Sequence, residues 1–219
     1  MTSTFPFINH LVDLVPFIEG NPQFRVQEQS NGTTVVCYML QDEDTFTGDN
    51  EEFAKECRGI TFDTKSGLIL SRTLHKFKNV GESEETQPDN IPWSDIVRIM
   101  HKRDGSMITF VERDGKIVGK TKKTFTSAEA VAATEFLYKD PVRVEWVRDL
   151  LKRGFTPTFE WTSPRFPIVV LYEQDELTLL QIREHVSGIY ITNLGEGGKY
   201  TKNCPFPIVK NLRGCFEDP

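Results

Sequence analysis

The sequence predicts an α+β fold built on a mainly antiparallel sheet, and three observations predict it. Runs rich in β-branched and apolar residues fill the first half of the chain, two helical patterns stand back to back between 127 and 154, and β-rich runs resume after them. Strands, a helix pair and strands again, with turn signals between neighbouring strands, is the order of an α+β unit rather than of alternating βαβ units. At 219 residues, 38% hydrophobic and 11% aromatic with 16 phenylalanines, the chain can bury a full core and reads as one domain over 1–219.

Taken in order, TTVVCYML (33–40) is β-branched and apolar enough for a buried strand. ITFDTKSGLILSR reads as two strands joined by a turn over Thr64–Gly67, and the acidic stretch 42–56 reads as a solvated loop. GESEETQPDN (81–90) has the composition of a disordered segment. DIVRIMHK (95–102) clusters apolar residues like a strand, and SMITFVERDGKIVGKTK reads as a hairpin turning at Asp114-Gly115. The helices are SAEAVAATEFLYKD, with Ser127 or Thr126 as N-cap, and PVRVEWVRDLLKRG, with Asp140 as cap, Pro141 in the first turn and Gly154 as stop. TPTFEW, FPIVVLYE (166–173) and ELTLLQIRE follow as strands, GIYIT adds a further candidate, and the Gly, Asn and Pro of 193–207 mark a loop.

The net charge of −6 argues against a protein that coats nucleic acid generally, yet the charge is uneven. From His101 to Thr124 seven Lys/Arg face three acids, whereas 42–56 holds seven acids and one lysine. No run approaches the roughly 18 apolar residues of a membrane span, and the start MTSTFPFINHLVDLVPF lacks a basic secretory leader, so no membrane partner and a cytosolic location are expected, the cytosol of an infected host if the chain is viral. Cys37, Cys57, Cys204 and Cys215 form no CxxC pair and have no histidine at metal-ligand spacing, which points to reduced thiols.

Arg-Asp-Gly occurs twice, in HKRDGS (101–106) and ERDGK (112–116), and only the first has a lysine directly before it. The second is accounted for as a hairpin tip. The first presents Lys102 at the end of an apolar run, followed by Asp104 and Gly105, which permit a turn. A lysine of ordinary pKa near ~10.4 becomes a nucleophile only where burial or neighbouring cations favour its neutral amine. Arg58, Lys76 and Lys122 are cations that could serve there and could also neutralise a triphosphate.

The ordered elements ECRGITFD (56–63), LHKFKN (74–79), HKRDGS (101–106), KTKKT (120–124), FTPTFEW (155–161) and LLQIRE (179–184) resemble the N-terminal nucleotidyltransferase portion of ATP-dependent RNA ligases of the phage-type tRNA-repair RNA ligase 1 family. The resemblance runs from about 24 to about 192. It implies an antiparallel-sheet covalent-ligase fold, ATP and Mg²⁺ as cofactors, and RNA ends, single-stranded or in a nicked tRNA loop, as partners. It implies that Lys102 attacks the α-phosphorus of ATP and holds AMP, which then passes to an RNA 5′-phosphate before a 3′-hydroxyl seals the strand. By the same resemblance Asp104 and Gly105 complete the lysine's motif, Arg58, Lys76 and Lys122 contact the nucleotide or its phosphates, and Glu160 binds the ribose. Metal ligands are left open, and Arg183 and Glu184 suit pairing within the sheet or substrate contact equally.

The family pattern continues with a Glu-Gly strand, a Lys-x-Lys strand and a C-terminal helical domain. GEGGKYTK (195–202), with Glu196-Gly197, reads instead as loop. The expectation is therefore an adenylation domain lacking the last motifs, completed by a missing C-terminal segment or a second chain. The alternatives are a non-ligating ATP- or RNA-end-binding fragment, and a nucleotidyltransferase of the DNA ligase or mRNA-capping type, which shares the Lys-x-Asp-Gly chemistry.

Overall fold

The computed structural model describes residues 5–42, 45–96, 98–195 and 198–212. Its strands divide into two four-stranded antiparallel sheets. The first runs β1 (Phe24–Glu28), β2 (Thr33–Tyr38), β3 (Arg58–Asp63) and β4 (Ile69–Ser71) in that spatial order, with a one-turn helix α1 (Glu51–Glu56) leading into β3. The second contains β5 (Ser106–Arg113), β6 (Lys116–Lys120), β7 (Phe155–Thr162) and β8 (Glu176–Glu184), ordered β6-β5-β7-β8. Between β6 and β7 come α2 (Ala128–Tyr138) and α3 (Pro141–Lys152).

Local chemistry explains these elements. Asp114 and Gly115 both take positive φ (50° and 74°), the pair of left-handed residues that a two-residue hairpin turn requires. The Ser127 hydroxyl accepts from the Ala130 amide to start α2, the Asp140 carboxylate accepts from Val142 to start α3, and Gly154 at φ 80° ends it. Strand alternation then sorts the faces. Ile108, Phe110, Phe159, Trp161, Leu177 and Leu179 point to the helices and build the main core with Leu137, Val147 and Leu150. Their neighbours Val111 and Val118 face the first sheet and meet Val35 and Phe125 in a smaller seam. The far face of the first sheet is closed by the N-terminal segment, where Ile8, Leu14 and Ile18, flanking the 3-10 turns Leu11–Asp13 and Val15–Phe17, pack on Val36, Ile60 and Phe62.

Several expectations are corrected. The stretch 95–102 is not a strand; around Val97, which lies outside the described residues, it makes only one bridge, Met100 to Asn211. FPIVVLYE (166–173) is an irregular loop because its apolar side chains find no sheet face, Val169 being 84% and Leu171 80% exposed. In place of disorder, 81–90 forms 3-10 turns closed by reciprocal Ser83–Thr86 bonds and by Asn90 donating to the Glu84 carbonyl. The acidic stretch ends in α1 rather than loop, and GIYIT contributes only the Tyr190 bridge to Arg183. Glu196-Gly197 and Cys215 lie outside the described residues; Cys37, Cys57 and Cys204 are free thiols.

Candidate active site

The lysine motif is held by its backbone. Leu212 donates to the Ile99 carbonyl (2.6 Å) and His101 to the Lys210 carbonyl (3.2 Å), so Lys102 leaves a pinned, extended segment. The Asp104 carboxylate accepts the amides of Val169 and Val170 at 2.7 Å each, and its own amide donates to the Tyr172 hydroxyl. Those two amide bonds, aided by Lys102, keep Asp104 below the usual carboxylate range. Gly105 donates its amide to Glu160 Oε1 at 3.0 Å, and a Cβ there would fall 2.2 Å from the Trp161 carbonyl oxygen, so the close pass of the motif over β7 excludes any side chain.

Between the two sheets, where β3 and β5 begin, lies a cleft of about 660 Å³ whose wall includes Lys102, Gly105, Arg58, Glu160, His75 and Tyr190. Burial raises the Glu160 carboxyl to about 6, against the opposing pull of the Gly105 amide, Lys102 and Arg58. Arg58 lies over the Phe77 ring (5.1 Å) with Nη1 on the Leu74 carbonyl and Met107 sulfur. Burial, reinforced by Arg183, lowers His75 to about 4, and its Nδ1 shares a 2.7 Å hydrogen bond with the Tyr190 hydroxyl.

Of the seven residues predicted for the site, Lys102, Gly105, Arg58 and Glu160 share the cleft wall. Asp104 is turned to the 166–173 loop. Lys76 and Lys122 meet instead at an aromatic pair: Lys122 lies 4.0 Å from the Tyr38 ring centroid, Tyr38 packs edge-on against Phe46, and Lys76 lies 5.9 Å from Phe46. Lys76 also donates to the Phe77 carbonyl (2.6 Å), which connects this cluster to the Arg58 stack.

Arg183 is structural. Fully buried, it makes two bonds to the Glu56 carboxylate (2.8 and 2.6 Å) and donates to the Thr73 and Gly188 carbonyls. Sequence reasoning missed Glu56 and also Lys120, a fully buried lysine whose Nζ donates to the Gly59 carbonyl at 2.7 Å. No local signal marked either one: Glu56 stands between Lys55 and Cys57 and Lys120 between Gly119 and Thr121, and their burial comes from contacts between distant segments.

No three His, Cys, Asp or Glu side chains among the described residues come together to hold a metal ion. The Gly105 amide occupies one oxygen of Glu160 and the Val169 and Val170 amides one oxygen of Asp104, and no third such side chain among the described residues joins them, so these residues do not form a Mg²⁺ site by themselves. Among the described residues no helix is long and apolar enough to cross a membrane.

A protein-family model described as RNA ligase matches residues 56–196, well over half of the chain. The chain belongs to this RNA ligase family. All seven predicted site residues fall inside the matched stretch. This family member is 34% identical over 179 residues to a protein named "Putative RNA ligase" of Thermovibrio ammonificans, covering 82% of this chain and 46% of that one. It is 25% identical over 213 residues to RNA ligase 1 of bacteriophage TS2126, covering 93% and 50%. It therefore spans about half the length of the relatives it matches. In fold it resembles the solved structure titled "Putative ATP-dependent DNA ligase from Aquifex aeolicus", with a TM-score of 0.54 at 13% identity over 92% of this chain and 50% of the other.

Proposed function

We propose that this chain is the adenylating domain of an ATP-dependent RNA ligase, with Lys102 as the nucleophile. The observation that carries the reading is the shared cleft wall of Lys102, Arg58, Gly105 and Glu160. In the first step the neutral Lys102 amine bonds to the α-phosphorus of ATP, the bond to the bridging oxygen breaks, pyrophosphate leaves with that electron pair, and the amine proton passes to water. Arg58 offers a planar donor fork to the phosphate oxygens, and Glu160 accepts from the ribose hydroxyls. Gly105 sets the geometry by bringing the motif against β7, where its amide fixes the Glu160 carboxylate. Lys76 and Lys122 supply positive charge beyond Arg58.

In later steps an RNA 5′-phosphate oxygen displaces Lys102 from AMP, and a 3′-hydroxyl then displaces AMP. Incubation with ATP and Mg²⁺ is expected to add the mass of AMP to Lys102 and to release pyrophosphate, with no adduct on Lys102→Ala. An adduct that survives that substitution would falsify the assignment of the nucleophile. The second reading, nucleotide or RNA-end binding without ligation, is favoured by the lack of a carboxylate cluster for metal among the described residues. Saturable ATP binding with no pyrophosphate release is its signature.

A further inference from the structure

A second, smaller hollow of about 160 Å³ lies between the edge strand β1 and the turn after β6, lined by Arg25, Gln27, Val35, Cys37, Met39 and Lys123. Strand register connects it to the cleft. Arg25 pairs with Cys37 and Cys37 with Arg58, so the three form one row across β1, β2 and β3 that ends on the cleft wall. At a strand spacing of about 4.8 Å the row is roughly 10 Å long. Arg25 and Lys123 are exposed at its outer end.

The cations along this row make no ion pairs. Among the described residues, Arg25, Arg58, Lys102, Lys122 and Lys123 take part in no ion pair, and no Asp or Glu lines the hollow. Burial raises the Cys37 thiol, and Lys122, Lys120, Lys123 and Arg58 all act on it in the opposite sense, which places four cations within electrostatic reach of one side chain. Gathering like charges without acids costs self-repulsion, and a polyanion laid along them relieves it. Met39, 38% exposed, gives the hollow apolar surface against which a sugar or base can rest.

We infer that the hollow lined by Arg25 and Lys123 is a phosphodiester-binding site for the RNA strand, set at the outer end of the strand row whose inner end, Arg58, stands on the cleft wall. The inference rests on the RNA ligase reading and adds a contact surface outside the nucleotide pocket. Binding of a short 5′-phosphorylated single-stranded RNA, followed by anisotropy over a series of salt concentrations, tests it. Arg25→Gln/Lys123→Gln is expected to weaken binding on the order of tenfold at 0.1 M salt and to reduce the log–log salt slope by about 1.4, two contacts at ~0.7 each. The charge-matched control Lys116→Gln/Lys152→Gln, at exposed positions elsewhere, is expected to keep the wild-type slope.

Unchanged thermal melting of each variant shows that the fold is intact. An unaltered slope in the hollow variant, an equal fall in the control, or absence of RNA binding by the wild type each overturns the site. The adenylation reading is judged separately, by the AMP adduct formed on the wild-type chain with ATP and no RNA. An adduct with an unaltered slope sinks the RNA site alone. A lowered slope without an adduct sinks the adenylation reading alone.

Discussion

Glu160 is the residue whose environment speaks most directly to chemistry. Burial holds its carboxyl at about 6 when the ordinary value is 4.5, so between those pH values the folded chain retains a proton that the unfolded chain has released. Its contribution to stability therefore falls as pH rises from 4.5 through 6. In its proposed role the carboxylate accepts two ribose hydroxyls, and the neutral acid is the poorer acceptor. The KM for ATP in adenylation is expected to drop as pH rises through about 6, and Glu160→Gln, which keeps an oxygen for the Gly105 amide, is expected to remove that inflection. An inflection that persists in the variant assigns the titration to another group. Lys102, Gly105, Arg58 and Glu160 were legible as candidates through the order of their motifs, which resembles that of the RNA ligase family; a lone Arg-Gly or Phe-Glu carries no such signal. The splitting of Lys76 and Lys122 onto the Tyr38–Phe46 pair was not, since ring contacts between distant segments leave no local pattern.

At the scale of elements, the hairpin and helix pair were legible because their signals are local: Asp114-Gly115 at positive φ, and caps at Ser127 and Asp140. The loops at 95–102 and 166–173 misled because apolar composition reports what a segment could bury, not whether a partner face exists. Lys120 on β6 shows the converse, a charge on a strand face that is wholly covered. Its ammonium donates to the carbonyls of Gly59 and Thr121 and so joins β6 to the start of β3, the strand end that carries Arg58. Burial lowers its pKa from 10.5 to about 7. Between those values the unfolded chain binds more protons, so this lysine makes the fold more stable as pH rises. Comparing wild type with Lys120→Met by chemical denaturation removes the shared titrations of thiols and tyrosines. The difference is expected to move in favour of wild type by up to about 2 kcal/mol between pH 7 and pH 9. A pH-independent difference would place the amine in contact with solvent.

For the whole molecule, the two sheets are tied by one buried charge cluster. Glu56 at the end of α1 receives Arg72 Nε at 3.0 Å from the first sheet's side and both terminal nitrogens of Arg183 from β8. The remaining donors are also used: Arg72 reaches the carbonyls of Pro6, His185 and Val186, and Arg183 those of Thr73 and Gly188. Desolvation pushes the Glu56 carboxyl up, yet Arg183 and Arg72 together bring it below the ordinary value. The cluster borders the cleft, because the Arg183 guanidinium stacks 4.6 Å from the Tyr190 ring and the Tyr190 hydroxyl fixes His75 on the cleft wall. A buried pair adds little over a well-packed apolar one, but removing a single partner strands the other charges without water. Glu56→Gln leaves two buried guanidiniums facing a neutral amide and is expected to cost about 3–5 kcal/mol. The loss should also appear in the cleft as weaker ATP binding, since Arg58 and Glu160 belong to different sheets whose spacing the cluster fixes. Urea denaturation of wild type and variant measures the first effect and ATP titration the second. A cost below about 1 kcal/mol with unaltered ATP affinity would mean that the apolar seam of Val35, Val111 and Phe125 sets the sheet spacing without help from the charges.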